Sequence, residues 1–180
     1  MPAKVPRAAR PQRPAVPALP PLEALDQAHR QMIAVLGALK ALVDRLDESG
    51  IDDVAREEAR KICAFFASPA RTHHADEETL IFPALVRTED PTLIQHVLRL
   101  QQDHGWLEED WLELAPQLQA VAEGYSWYEL DTLRAGVQVF TALYHDHIAL
   151  EESLIYPEAK RQLGAEAASR DQRIGAGNSR

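Results

Sequence analysis

The sequence predicts an all-α protein, an up-down-up-down bundle of four helices with a tail at each end. Four segments repeat apolar residues at steps of three and four, the spacing of one buried helix face, and no segment shows the alternation of a strand. An eleven-residue phrase also occurs twice, as HHADEETLIFP at 73–83 and as HIALEESLIYP at 147–157, with seven identical positions. A doubled helical hairpin with short links is typical of a four-helix bundle.

The first two helices are predicted from their apolar stripes. The first stripe is Leu25, His29, Met32, Leu36, Leu39, Val43 and Leu46. The second stripe is Ile62, Phe66, Pro69, His73, Glu77, Leu80 and Ala84. Both stripes therefore place polar side chains among residues that should face the core.

The last two helices have start signals as well as stripes. Asp90 before Pro91 is a capping residue followed by proline at the first helical position, and Ser126 with Glu129 has the pattern of a capping box. The third stripe is Ile94, Val97, Gln101, His104, Glu108, Trp111, Ala115 and Leu118. The fourth is Leu133, Val137, Phe140, Tyr144, His147, Glu151 and Leu154. Turn-forming clusters at 47–53, 87–91 and 123–126 separate the four helices.

Composition and charge limit the function classes. The 180 residues carry a formal net charge of −9, which argues against a nucleic-acid partner. No apolar run approaches the length of a membrane span, and one cysteine allows no intramolecular disulfide, so we expect a cytoplasmic protein. Residues 1–20 are predicted to form a disordered, Pro-rich basic tail, residues 21–163 the bundle, and residues 164–180 a second disordered tail. The oligomeric state does not follow from the sequence.

Each predicted helix carries one histidine on its core-facing stripe, and two carry a glutamate four residues later. These six candidates are His29, His73, Glu77, His104, His147 and Glu151. Residues four apart lie on one helix face, so each His–Glu pair should point inward together. Buried carboxylates need a partner, and the stripes hold no Lys or Arg. The pattern therefore predicts two metal ions, for which imidazole and carboxylate suit iron, manganese or zinc.

The repeat also sets the expected register at the doubled histidine. Aligning the two Glu-Glu pairs places His73 opposite His147 and His74 opposite Ile148. His74 is about 100° around the helix from His73, so we expect it on a flank rather than among the ligands.

Four residues next to the candidate ligands have expected roles. Glu78 and Glu152 are expected just outside the ligand set or at the surface. Pro83 and Pro157 lack the N–H that continues a helix, and they predict a helix end or kink just beyond the site.

These motifs resemble the hemerythrin-like, HHE cation-binding domain family. The resemblance is carried by DQAHR at 26–30, QQDHGW at 101–106 and the two repeated phrases, and it covers about residues 22 to 160. It implies a four-helix bundle with a non-haem di-iron centre of two iron ions, held by the six candidates above. It further implies binding or sensing of oxygen or related small oxidants. The alternatives are a di-iron enzyme acting on peroxide or nitric oxide (a peroxidase, oxidase or repair activity) and iron storage or handling.

The sequence departs from the oxygen-carrying members of that family in two places. Those members end with His followed by Asp at a longer spacing, where this chain has His147 and Glu151. Those proteins place a fifth histidine four residues after the third-helix histidine, where this chain has Glu108. Glu108 is therefore a further candidate ligand, and reversible oxygen transport is the least expected function. A metal-free helical scaffold is the remaining structural alternative.

Overall fold

The computed structural model describes residues 22–165, and this part of the chain is helical with no strand. The predicted all-α fold is thereby confirmed. None of its helices combines the length and the hydropathy that a membrane crossing requires. The predicted tail at 1–20, and the predicted tail at 164–180 from residue 166 onward, lie outside the described residues.

The four bundle helices include several segments. Helix α1 spans Leu22–Ser49, and α5 spans Pro91–Glu123. The second bundle helix consists of α2 (Asp53–Ala67), α3 (Pro69–Asp76), a first π turn (Glu77–Ile81) and α4 (Phe82–Val86). The fourth consists of α6 (Leu130–Leu150), a second π turn (Glu151–Ile155) and α7 (156–165). Helices α1 and α5 each pack against both α2 and α6, which closes the bundle into a ring.

One of the two predicted helix starts is confirmed and the other is wrong. Asp90 caps α5 by accepting hydrogen bonds from two backbone N–H groups of its first turn, and Pro91 is the first helical residue. By contrast, Ser126 and Glu129 form no capping box, because α6 begins only at Leu130. The backbone N–H of Glu129 instead donates to the side chain of Gln117 at 3.3 Å, which holds the link in a non-helical path.

The two prolines are accommodated by the π turns. In each π turn the residue before the proline, Phe82 or Tyr156, donates its N–H to a carbonyl five residues back. Pro83 and Pro157 have no N–H and so cannot form the next helical hydrogen bond. The wider turn accommodates this gap, and the helix continues as α4 or α7. The second bundle helix ends at Val86, three residues beyond Pro83, whereas the fourth continues past Pro157, so the expected helix end is found after one proline and not after the other. The alternative of a kink stays a prediction. Single π turns are frequent at functional sites.

The described core contains two apolar clusters with a polar layer between them. Helix α1 passes from Leu25 in one cluster through His29 to Met32 in the other. Helix α5 crosses at the same level through His104. The buried polar residues of the described chain are His29, His73, Glu77, Asp103, His104, His147 and Glu151. All six predicted ligands therefore lie in this layer, enclosed by apolar packing above and below.

Candidate metal centre

The polar layer contains two overlapping groups of potential metal ligands. Group A consists of His29, His73, Glu77 and Glu151, and group B consists of Glu77, His104, His147 and Glu151. Within each group the potential ligand atoms lie within 4.8 Å of one another, and every residue is buried. The structure thus brings together all six candidates, and the two carboxylates belong to both groups.

Each shared carboxylate directs its two oxygens toward different groups. One oxygen faces a histidine of group A and the other faces a histidine of group B. The distances are 3.5 Å from Glu77 Oε1 to His73 Nε2, 3.5 Å from Glu77 Oε2 to His104 Nε2, 3.1 Å from Glu151 Oε2 to His29 Nε2, and 3.1 Å from Glu151 Oε1 to His147 Nε2. The first half of the chain thus contributes Glu77 to group B, and the second half contributes Glu151 to group A. Each shared carboxylate therefore has one oxygen available to each group.

Two outer carboxylates orient one histidine in each group. The Nδ1–H of His29 donates to Glu152 at 3.1 Å, and the Nδ1–H of His104 donates to Glu78 at 2.7 Å. Because a carboxylate only accepts, each bond places the proton on Nδ1 and leaves Nε2 bare toward the centre. Partners of this kind orient metal-bound histidines and raise their basicity. Glu78 and Glu152 thus lie outside both groups, where the sequence predicted them.

The imidazole nitrogens and carboxylate oxygens at the centre of the layer include more hydrogen-bond acceptors than donors. His104 Nε2 lies 3.2 Å from His147 Nε2, and bare nitrogens face carboxylate oxygens across both groups. Both oxygens of Glu151 and one of Glu77 are buried without a hydrogen-bond partner in the described chain. Acceptors that face acceptors in a dry interior are unfavourable unless a proton or cation lies between them. The residues present therefore fit a metal centre.

The pKa shifts of the buried carboxyl and imidazole groups also favour a cation in the layer. Burial raises the pKa of Glu77, and the neighbouring charge of Glu151 raises it further. Burial also opposes ionisation of Glu151, but the adjacent His147 and His29 imidazoles outweigh it and lower the pKa of that carboxyl. Burial lowers the pKa of His147 as well, yet the neighbouring Asp103 and Glu151 carboxylates prevail and raise the pKa to about 9. Without a cation, Glu77 is thus shifted toward its neutral form, whereas Glu151 depends on protonated histidine for neutralisation.

His74 lies in the layer and not on a flank, so its predicted orientation is wrong. Its ring stacks on that of His104, with centroids 4.1 Å apart and an interplanar angle of 12°, and lies 5.6 Å from the ring of His147. The potential ligand atoms of these three histidines lie within 4.8 Å of one another. The inward arc of a bundle helix is at least about 100° wide, so two successive residues can occupy its two edges. His73 occupies the edge toward His29, with ring centroids 4.8 Å apart.

Glu108 is not brought to the centre. It is absent from both groups, and its Oε1 lies 3.1 Å from Arg71 Nη2 with the side chain 37% exposed. Arg71 precedes His74 by three residues and Glu108 follows His104 by four, so in antiparallel helices this pair lies one turn away from the layer. There the two residues line a small pocket together with His74 and Tyr144.

Tyr156 is a site residue that sequence reasoning missed. Its ring stacks on His29, with centroids 5.1 Å apart, and its hydroxyl lies 3.0 Å from His29 Nε2. The hydroxyl donates a short hydrogen bond to Glu77 Oε1. Phe82, its counterpart in the repeat, stacks on His104 in the same way but has no hydroxyl. In the sequence, only the difference between Phe82 and Tyr156 at aligned positions of the repeat indicates this role. A change from Phe to Tyr at an apolar position looks conservative.

Replacing Tyr156 by Phe should destabilise the metal-free protein. The change leaves Glu77 Oε1 buried without its donor, and such an unsatisfied group costs about 1–3 kcal/mol. Urea denaturation of chelator-treated protein should show this loss in the free energy of unfolding. Tyr125→Phe is the matched control, because Tyr125 is 47% exposed and should change the free energy little. Equal free energies in Tyr156→Phe and wild type would contradict the assigned hydrogen bond.

The bundle and its buried histidine–glutamate layer together define a helical cation-binding protein. The family model described as the hemerythrin HHE cation binding domain matches residues 21–159. An uncharacterized protein of Haemophilus influenzae is 32% identical over 133 residues, which cover 74% of this chain and 72% of that protein. The chain belongs to the hemerythrin HHE cation-binding domain family.

Proposed function

We propose that the protein holds two iron ions, one in each group, and that this centre binds or senses oxygen or a related small oxidant. One observation carries the proposal: each of two buried carboxylates directs one oxygen toward group A and the other toward group B. A single ion would need only one group, whereas the shared carboxylates match a pair of ions. His29, His73, His104 and His147 would supply the imidazoles, and Glu77 and Glu151 would bridge.

The donor set is compatible with iron, and manganese or zinc could substitute for it. Imidazole with carboxylate suits all three metals, whereas the described centre has no thiolate to select a softer ion. Bound iron would supply electrons to a small oxidant, and the chain's residues hold the ions and exclude bulk water. Because the ligands are at most 7% exposed, a partner reaching them without opening the bundle must be small. Oxygen, peroxide and nitric oxide meet this condition, and the negative charge disfavours nucleic acid.

The proposal is tested by metal stoichiometry and absorption together. Chelator-stripped protein is reconstituted anaerobically with ferrous iron, freed of excess metal and then exposed to air. We expect two iron ions per chain and new charge-transfer absorption in the near ultraviolet after exposure. One ion per chain or fewer after full reconstitution would overturn the two-metal model. Two ions without any spectral response to oxygen would overturn the oxidant part of the proposal.

A second candidate, a di-iron enzyme acting on peroxide or nitric oxide, is favoured by Tyr156. Its hydroxyl is a buried proton donor beside His29, and the reduction of peroxide or nitric oxide consumes protons. Steady-state consumption of hydrogen peroxide or nitric oxide by the iron-loaded protein distinguishes the two candidates. Turnover well above that of free ferrous iron, and reduced in Tyr156→Phe, would favour the enzyme. Stoichiometric reaction without turnover would favour binding or sensing.

A further inference from the structure

His74 differs from every other histidine outside groups A and B. His74 and His96 are both half-buried and His145 is exposed, but the ring of His74 stacks on His104 and lies 5.6 Å from that of His147. Its Nε2 is buried and has no hydrogen-bond partner in the described chain. This buried nitrogen therefore lies without a partner beside the two histidines of group B.

The pairing of adjacent histidines with different groups explains this position. His73 lies against His29 of group A, while His74 lies against the two histidines of group B. One helix thus contributes an imidazole to each cation position. The counterpart of His74 in the second half of the chain is Ile148, which is buried in an apolar cluster. Group A consequently has no equivalent additional imidazole.

We propose that His74 is a fifth imidazole ligand, completing the cation position formed by His104 and His147. This assignment rests on the proposed two-metal centre. It makes the centre asymmetric, with three imidazoles at group B and two at group A. The position with fewer protein ligands is the one next to His29, where the Tyr156 hydroxyl also lies. A small molecule would therefore bind at group A, with Tyr156 as its hydrogen-bond donor.

Packing is the competing explanation for His74, and it accounts for less. The flat stack on His104 would by itself be satisfied by any planar ring. It does not account for a buried Nε2 without a partner, which is unfavourable if nothing binds that nitrogen. Metal coordination satisfies that nitrogen and places it beside two other candidate ligands.

Nitrogen-15 NMR of the zinc-loaded protein with labelled histidine counts the ligands directly. The chain has seven histidines, and metal-bound imidazole nitrogens are recognised by their chemical shifts. We expect five metal-bound imidazoles, with His96 and His145 showing the shifts of free rings. Four metal-bound imidazoles, with His74 free, would overturn the proposal while leaving the two-metal centre intact. Fewer than two zinc ions per chain would instead overturn the proposed function.

His74→Phe separates ligation from packing, because phenylalanine keeps a ring for the stack and has no nitrogen. Titration of the apoprotein with Co²⁺, followed by visible absorption, should show one cobalt ion bound as in wild type and the other about 10-fold or more weaker. His74→Ala should give the same loss, and His145→Ala, at an exposed position on α6, should leave both ions unchanged. Circular dichroism confirms that each variant is folded. Wild-type cobalt affinity and spectrum in His74→Phe would overturn the assignment.

Discussion

Replacing Glu77 or Glu151 by Gln should abolish tight binding of both proposed metal ions. Each carboxylate spans groups A and B, so one substitution removes the negative charge that both cation positions share and replaces one of the two ligand oxygens by an NH2 group. Loss of an outer partner already costs about 10–100-fold in metal affinity, and we expect a loss of at least about 100-fold for each ion here. By contrast, His29→Ala should weaken mainly the ion in group A. Metal analysis after desalting, at matched protein concentrations, measures the difference.

The matched control is Glu108→Gln, the same chemical change at a carboxylate outside both groups. It breaks only the partly exposed ion pair with Arg71, and such pairs contribute about 0–1 kcal/mol to stability. Both ions should remain bound. If Glu77→Gln retains one ion with wild-type affinity, the carboxylate serves a single position, and the bridging arrangement is wrong.

Removing the metals should lower the melting temperature by on the order of 10 °C or more. An ion present at about 100 times its dissociation constant stabilises the folded state by about 2.7 kcal/mol, and two ions do so twice. In a domain of this size each kcal/mol shifts the melting temperature by about 2–4 °C. The metal-free layer also contains unsatisfied acceptors that the cations would neutralise. Differential scanning calorimetry before and after chelation, and again after metal is restored, measures the shift.

Glu77→Gln separates loss of metal from damage to the fold. The folded-state pKa of Glu77 is raised above its unfolded value, so ionisation of this carboxyl opposes folding as the pH rises above about 4.5. In the metal-free state at neutral pH, the amide should therefore melt no lower than the wild type. In the presence of metal it should lack the upward shift. A wild-type melting temperature unaffected by chelation would show that the centre is not coupled to folding.

The fold and the six central residues could be predicted because two periodicities coincide in the sequence. The helical spacing places His29, His73, His104 and His147 on buried faces, and the same spacing sets Glu77 and Glu151 beside two of them. The internal repeat then distinguishes this pattern from four unrelated core histidines. Both signals are local, which is why they survive without knowledge of how the helices pack.

The misjudged residues depend on packing between helices. Whether His74 faces inward depends on how wide an arc of α3 is buried against the neighbouring helices. The apolar stripe of one helix shows the direction of that arc but not its width. Glu108 follows the same spacing rule as Glu77 but lies one turn from the layer, where Arg71 pairs with it. Tyr156 looked equivalent to Phe82 because the ring packing is equivalent, and only the three-dimensional position of its hydroxyl beside Glu77 distinguishes it. The π turns arise from Pro83 and Pro157 being retained inside continuous helices.

Glu77 and Glu151 each belong to the group that the histidines of the other half of the chain form. This exchange resembles the contacts across the twofold interface of a homodimer. In a twofold interface, residue i of one subunit meets residue j of the other and j meets i, and the two hairpins follow that rule at Glu77 and Glu151. A true dimer must keep its two halves identical, whereas a fused pair is free to diverge. Divergence has occurred at the centre itself, in three pairs of aligned positions: His74 with Ile148, Phe82 with Tyr156, and Ala28 with the buried Asp103 near His147. A repeat within one chain thus permits what exact symmetry forbids, two neighbouring groups of candidate ligands with different surroundings.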